Sequence, residues 1–180
     1  MRRIEEQMKR LAALAGVMAM AAAEALAQDK TGRPVRRILV SIPDRKLAVL
    51  EDDQVVKIYR TAVGAPQSPS PSGSFTIVTQ IPEPTWYTKG RVVPPGKANP
   101  LGTRWIGLSK KGYGIHGTNV PSSIGRNASH GCIRMRNRDV EELFTMVGVG
   151  DAVELVEERT PETERIFGTT TLVASAASNE

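Results

Sequence analysis

The sequence predicts a mainly β domain with frequent turns, one helix in its C-terminal half and a long loop lying as a lid over a cleft. Three observations carry this. Aromatic residues make up only 4% of the chain, whereas Val, Ile, 12 Pro and 16 Gly are plentiful, a composition of short strands and turns. The apolar runs are short and are bounded by Gly, Pro, Ser and Asp. Helical spacing is clear in one place only, after Asn137.

Residues 1–27 read as a signal peptide. Arg2, Arg3, Lys9 and Arg10 form a basic start, Leu11 to Ala23 is an unbroken run of thirteen apolar or small residues, and Ala25-Leu26-Ala27 fits a cleavage site. Thirteen residues are too few to span a bilayer, so no stable membrane insertion is expected after cleavage. An uncleaved anchor is the competing reading. The expected location is outside the cytoplasm, in the periplasm or cell wall. Residues 28–35 then form a linker before a single domain over 36–158, and 159–180 read as a flexible, small and polar tail.

Within the domain, Arg36 to Ile42 and Lys46 to Leu50 read as a strand hairpin, and Val55 to Val63 as a third strand ending at Gly64. Pro66 to Gly73 is a turn-rich connection and Ser74 to Val78 a further strand. From Pro82 to Gly102 five prolines accompany Trp86 and Tyr87, and long loops of this kind in compact domains are usually functional; this is the lid. Arg104 to Leu108 and Tyr113 to His116 follow as strands. Asn137 is expected to cap a helix from Arg138 to about Val147, with Val140, Leu143, Phe144 and Val147 on its apolar face. Ala152 to Val156 closes the domain as a strand.

Charge is distributed unevenly. The chain is +5 overall, yet residues 84–138 hold ten basic side chains and no acidic one, so the remainder is net acidic. This interval contains the only cysteine, Cys132, and both histidines, His116 and His130. Such a field favours a thiolate and attracts carboxylate-rich substrates. Nucleic acid is a poor partner, because the basic residues are not interleaved with aromatics.

A lone cysteine in an exported chain cannot form an internal disulfide, and its company of imidazoles points to nucleophilic acyl transfer. Cys132 is the nucleophile in this reading. His116, delivered by a separate strand, is the preferred base, and His130 shapes the pocket. In an extended chain His130 would sit roughly 6–7 Å from Cys132 at Cβ, long for direct contact. Gly131 lets backbone approach a substrate closely, and the Gly131 and Cys132 amides are candidate oxyanion donors. A zinc site built from Cys132 and the two histidines is the weaker alternative, because the spacing lacks paired ligands and no fourth ligand is offered. No metal or other cofactor is expected.

His116-Gly-Thr-Asn together with Ser129-His-Gly-Cys-Ile-Arg-Met resembles the motif of the L,D-transpeptidase catalytic domain, the YkuD-like family. Ser70-Pro-Ser-Gly-Ser-Phe75, Val93 to Gly102 and Asn137 to Val156 extend the resemblance to nearly the whole domain. The resemblance implies a β-sandwich with a lid over the active-site cleft. It implies that Cys132 attacks a tetrapeptide stem of peptidoglycan, releasing D-alanine, and that the thioester passes to an amine of another stem or to a lysine of a wall-attached protein. His116 would be the base, held by a backbone carbonyl. The His130, Gly131 and Cys132 amides would form the oxyanion hole, Arg134 would brace the turn and meet a substrate carboxylate, and Ser129 and Tyr113 would line the pocket. Family members are typically acylated by carbapenems. The alternatives are a relative that uses water, an L,D-carboxypeptidase or hydrolase, and a non-catalytic wall-binding module.

Overall fold

The computed structural model describes residues 34–168. The expected signal peptide, residues 28–33 of the linker and residues 169–180 of the tail lie outside them. Val35, the last linker residue, already belongs to the fold: its amide donates to Asp52 Oδ1 at 2.9 Å, and its carbonyl accepts from the Asp52 amide.

The strands are β1 (Arg36–Ser41), β2 (Lys46–Glu51), β3 (Gln54–Arg60), β4 (Val63–Gly64), β5 (Gly73–Pro82), β6 (Trp86–Thr88), β7 (Arg91–Val93), β8 (Arg104–Leu108), β9 (Gly114–His116), β10 (Asn127–Ser129), β11 (Ile133–Arg134) and β12 (Ala152–Val156). Eight of them form one curled sheet in the order β11-β9-β8-β5-β12-β1-β2-β3. The curl turns on β5. Its first residues pair with β12 and its last with β8, and the register shifts between Ile77 and Thr79. A bulge bends a strand, so this one element serves both layers of the sandwich. The mainly β fold read from the sequence is therefore the observed one.

Helix α1 (Asn137–Met146) closes the core by inserting Val140 and Leu143. They meet Ile38, Val40, Leu47, Val49, Ile106 and Ile115 in one buried cluster. Leu39, Ala48 and Leu50 point the other way, into a second cluster. Both faces of β1 and β2 are covered, which explains why these strands read as continuous apolar runs rather than alternating ones.

The second cluster is covered by an element the sequence reading missed. Residues 161–167 of the expected tail form helix α2 (Pro161–Phe167), whose Phe167 is buried. Thr160 caps it through a reciprocal hydrogen-bond box with Thr163. Arg37 pairs with Glu162, and Arg159 with Asp44 at 2.7 Å, fastening the start of the segment, while Lys46 Nζ donates to the Phe167 carbonyl at 3.0 Å and holds its end. The tail reading fails here because a Thr-Pro start and an Ile166–Phe167 apolar end suffice for two turns once a sheet face needs covering.

Two further boundaries differ from expectation. The third strand breaks after Arg60, because Ala62 leaves β2 and exchanges hydrogen bonds with Arg134 in the other layer. The 82–102 segment is less irregular than its prolines suggest, since β6 and β7 pair as a hairpin through Trp86–Val93 and Tyr87–Val92.

Candidate active site

Strand pairing assembles the reactive residues. β11 runs parallel to β9 with Arg134 beside His116 and Ile133 beside Ile115. Residues two apart on a strand share a face, so Cys132, Arg134 and His116 are brought to one side of the sheet. Before Cys132 the chain turns sharply at Gly131, where φ is +105°. A Cβ there would lie 2.7 Å from the Tyr113 ring and 3.1 Å from the Pro69 carbonyl, so glycine is demanded by conformation and by space.

Ser129 stitches this turn. Its hydroxyl donates to the Cys132 carbonyl at 2.5 Å and accepts from the Gly131 amide at 3.0 Å. The second bond corrects one expectation: the Gly131 amide is already committed and is not a free oxyanion donor. The amides of His130 and Cys132 remain for that role. Tyr113 is also placed differently. Its ring packs behind Gly131 and supports the turn instead of lining the cavity.

Cys132, His116, His130, Ser129 and Arg134 line one cavity of about 140 Å³. Trp86, Pro100 and Leu101 of the lid close it. His130 is largely exposed at its edge, because the Gly131 turn ends the extended geometry assumed for it. A second cavity, of about 330 Å³, also reaches Cys132, from the side of Tyr87, Trp105 and Gly112. Among the described residues, no group of three or more His, Cys, Asp or Glu is placed to hold a metal ion.

The imidazole of His116 is buried and tightly oriented. Nδ1 lies 2.6 Å from the Gly117 carbonyl, which fixes the tautomer with its proton on Nδ1 and a lone pair on Nε2. Trp105, which sequence reasoning did not connect with the site, stacks on the ring at 5.6 Å between centroids and 24° between planes. Burial pushes the imidazole down to about 4; the Gly117 and Leu101 carbonyls oppose that, and the Arg134 charge adds to it.

Burial also pushes the Cys132 thiol up, against a backbone hydrogen bond from Gly114 and the charge of Arg134. Both directions favour a thiol beside a neutral imidazole over the thiolate expected from the basic interval. Local desolvation outweighs the distant charges because most of them are solvated. The Arg134 guanidinium itself has a buried Nε without a hydrogen-bond partner among the described residues. Arg134 lines the cavity, and a buried charged donor left without a partner is costly.

These directions set a pH dependence. A general base acts only when neutral, so with His116 in that role kcat/KM should rise with pH through about 4 and stay level toward neutrality. Alkylation of Cys132 by iodoacetamide tracks the thiolate and should keep rising into the alkaline range. A plateau of alkylation at neutral pH would instead reveal a resting ion pair.

The lid is pinned by a residue with no catalytic look in the sequence. Asn99 is fully buried; its Nδ2 donates to the carbonyls of Pro84 (2.7 Å), Val93 and Pro94 (both 3.2 Å), while its Oδ1 accepts from the Leu101 amide. Asn99→Ala should destabilise the protein by about 2 kcal/mol or more, since several buried backbone groups lose their partner at once. Urea denaturation measures the loss, and faster proteolysis confined to residues 84–98 would localise it.

Asn137 performs a similar task and corrects the capping assignment. It is the first residue of α1, whose N-cap is Arg136 with no side-chain cap bond. Its Oδ1 instead accepts from the Thr118 amide at 3.0 Å, anchoring the segment after His116. A Cβ on Gly102 or on Gly117 would come within 2.1 or 2.2 Å of that same oxygen.

A profile of the L,D-transpeptidase catalytic domain (YkuD) matches residues 35–155. The chain belongs to this family. A Bacillus licheniformis relative, named by inference as the L,D-transpeptidase YkuD, is 45% identical over 119 residues, covering 66% of this chain and 64% of its own. The chain thus spans just under two thirds of that relative's length. An L,D-transpeptidase from Mycobacterium tuberculosis H37Rv shares the fold with a TM-score of 0.59 at 22% identity, over 69% of this chain and 58% of the other. The L,D-transpeptidase LdtMt1, solved in complex with imipenem, gives a TM-score of 0.57 at 23% identity, over 68% and 59% of the two chains. Both the family and the fold are those that the motif suggested.

Proposed function

We propose that the protein is an exported L,D-transpeptidase that acts on peptidoglycan with Cys132 as nucleophile. The observation that carries this is the meeting of Cys132, His116 and Arg134 in one lidded cavity, with Arg134 Nε lacking a partner. A stem-peptide carboxylate would be drawn to the Arg134 guanidinium lining the cavity and by an interval without acidic residues.

In the first half-reaction the Sγ proton moves to His116 Nε2 as sulfur attacks the carbonyl between the diamino acid's L-centre and the terminal D-alanine. The His130 and Cys132 amides meet the oxyanion. The C–N bond breaks, D-alanine leaves with the proton from His116, and a thioester remains. In the second half-reaction an acceptor amine attacks the thioester, passes its proton to His116, and the C–S bond breaks as the thiol is restored. Because the thiol rests protonated, proton transfer and attack are coupled. The acceptor amine belongs to another stem, giving a 3-3 cross-link, or to a lysine of a wall-attached protein.

The test is mass analysis of products after incubating the protein with purified disaccharide-tetrapeptide. Dimers formed with loss of D-alanine support transpeptidation. Tripeptide without dimers transfers the reading to a carboxypeptidase that uses water. Unchanged substrate overturns a stem-to-stem reaction. Periplasmic or wall recovery of the protein, with its N-terminus at Gln28, tests export.

A further inference from the structure

The two cavities that share Cys132 differ in chemistry. The first presents imidazoles, a hydroxyl and a guanidinium. The second presents Ile81, Trp86, Leu101 and Trp105, with no charged side chain in its lining, and Tyr87 stands at its edge. Tyr87 is 73% exposed, and Val92, its direct partner across the β6–β7 hairpin, is 62% exposed. Cross-strand partners have adjacent side chains on one face, so an aromatic ring and a branched aliphatic stand together in water at the mouth of a catalytic cavity. A large aromatic is normally buried or paired, and this pair is continuous with an apolar cavity rather than scattered on the surface. The hairpin also carries Thr88, Lys89 and Arg91, which supply hydrogen-bond donors but no carboxylate.

An occupant must therefore offer a flat apolar face, oxygen acceptors at its edge and little need of a negative partner. A pyranose ring has these properties: one face is lined by C–H groups and its rim by hydroxyl and acetamido oxygens. The cationic side chain of a peptide acceptor gains less here, because no carboxylate lies anywhere in residues 84–138.

We infer that Tyr87, with Val92 beside it, is a sugar-binding platform that seats a ring of the glycan bearing the stem, while the stem enters toward Arg134. This rests on the peptidoglycan reading above, and makes Tyr87 a specificity-determining residue for glycan-attached over free stems. The test compares kcat/KM on disaccharide-tetrapeptide and on free tetrapeptide for the unaltered protein, Tyr87→Ala and Tyr87→Trp. The ratio of the two values should fall about fivefold in Tyr87→Ala, the scale of one aromatic contact, and be retained in Tyr87→Trp. An unchanged ratio, including equal loss on both substrates, overturns the proposal. A second readout needs no turnover: a stem-free oligosaccharide of N-acetylated hexosamines should shift the fluorescence of Trp86, and Tyr87→Ala should abolish the shift. Absence of a shift in the unaltered protein also overturns the platform. A shift without turnover of either substrate would leave the platform standing and remove the transpeptidase reading instead.

Discussion

Cys132→Ala is expected to abolish acyl transfer and leave the fold intact. The substitution removes one sulfur atom, which makes a long hydrogen bond of 3.7 Å to the Gly112 carbonyl and accepts one from the Gly114 backbone. The backbone bonds that hold the turn run through Ser129 and do not involve the sulfur. Melting should therefore shift by only a few degrees, consistent with about 1 kcal/mol or less. Without sulfur no thioester forms, and the cavity holds no second nucleophile of comparable reactivity, since the Ser129 hydroxyl is committed to the Cys132 carbonyl. Intact-mass analysis after exposure to a carbapenem should show one covalent adduct on the unaltered protein and none on the variant. Turnover by Cys132→Ala would mean that the nucleophile has been misassigned.

His116→Ala should lower kcat/KM by about 10²- to 10⁴-fold, the usual worth of a positioned general base. The loss is expected near the upper end, because the thiol rests protonated and has no resting thiolate to fall back on. His130→Ala should be milder, since His130 sits exposed at the cavity edge and its backbone amide survives the substitution. Raising the pH offers a diagnostic. His116→Ala should recover activity as hydroxide deprotonates the thiol, whereas a variant that merely misfolds should not. Greater damage from His130→Ala than from His116→Ala would exchange the two roles.

The candidate site residues, which the fold brings to one cavity, were legible because chemistry restricts their types. A single cysteine with two histidines in one acid-free interval leaves little else for them to be, and β1, β2, β8, β9 and β12 follow directly from short apolar runs. The basic interval favours a thiolate, whereas burial at Cys132 pushes the thiol the other way, because charge counts along a sequence ignore desolvation at the side chain itself. The Gly131 amide was misassigned because only the folded turn shows Ser129 accepting its proton. Trp105 and Asn99 escaped notice since stacking and burial depend on partners distant in sequence. Helix α2 could have been found, as Thr160-Pro161 is a sound helix start with acidic residues in the first turn.

The crowding of Gly102, Gly117 and Asn137 also governs how the protein can vary. One carboxamide oxygen holds the segment after the base and simultaneously occupies the space that two side chains would need. None of the three can change alone without loss, and a smaller residue at position 137 would make room only by releasing the anchor. The trio should behave as a single heritable unit: a catalogue of tolerated substitutions would rank it beside Cys132, although none of its members carries out chemistry.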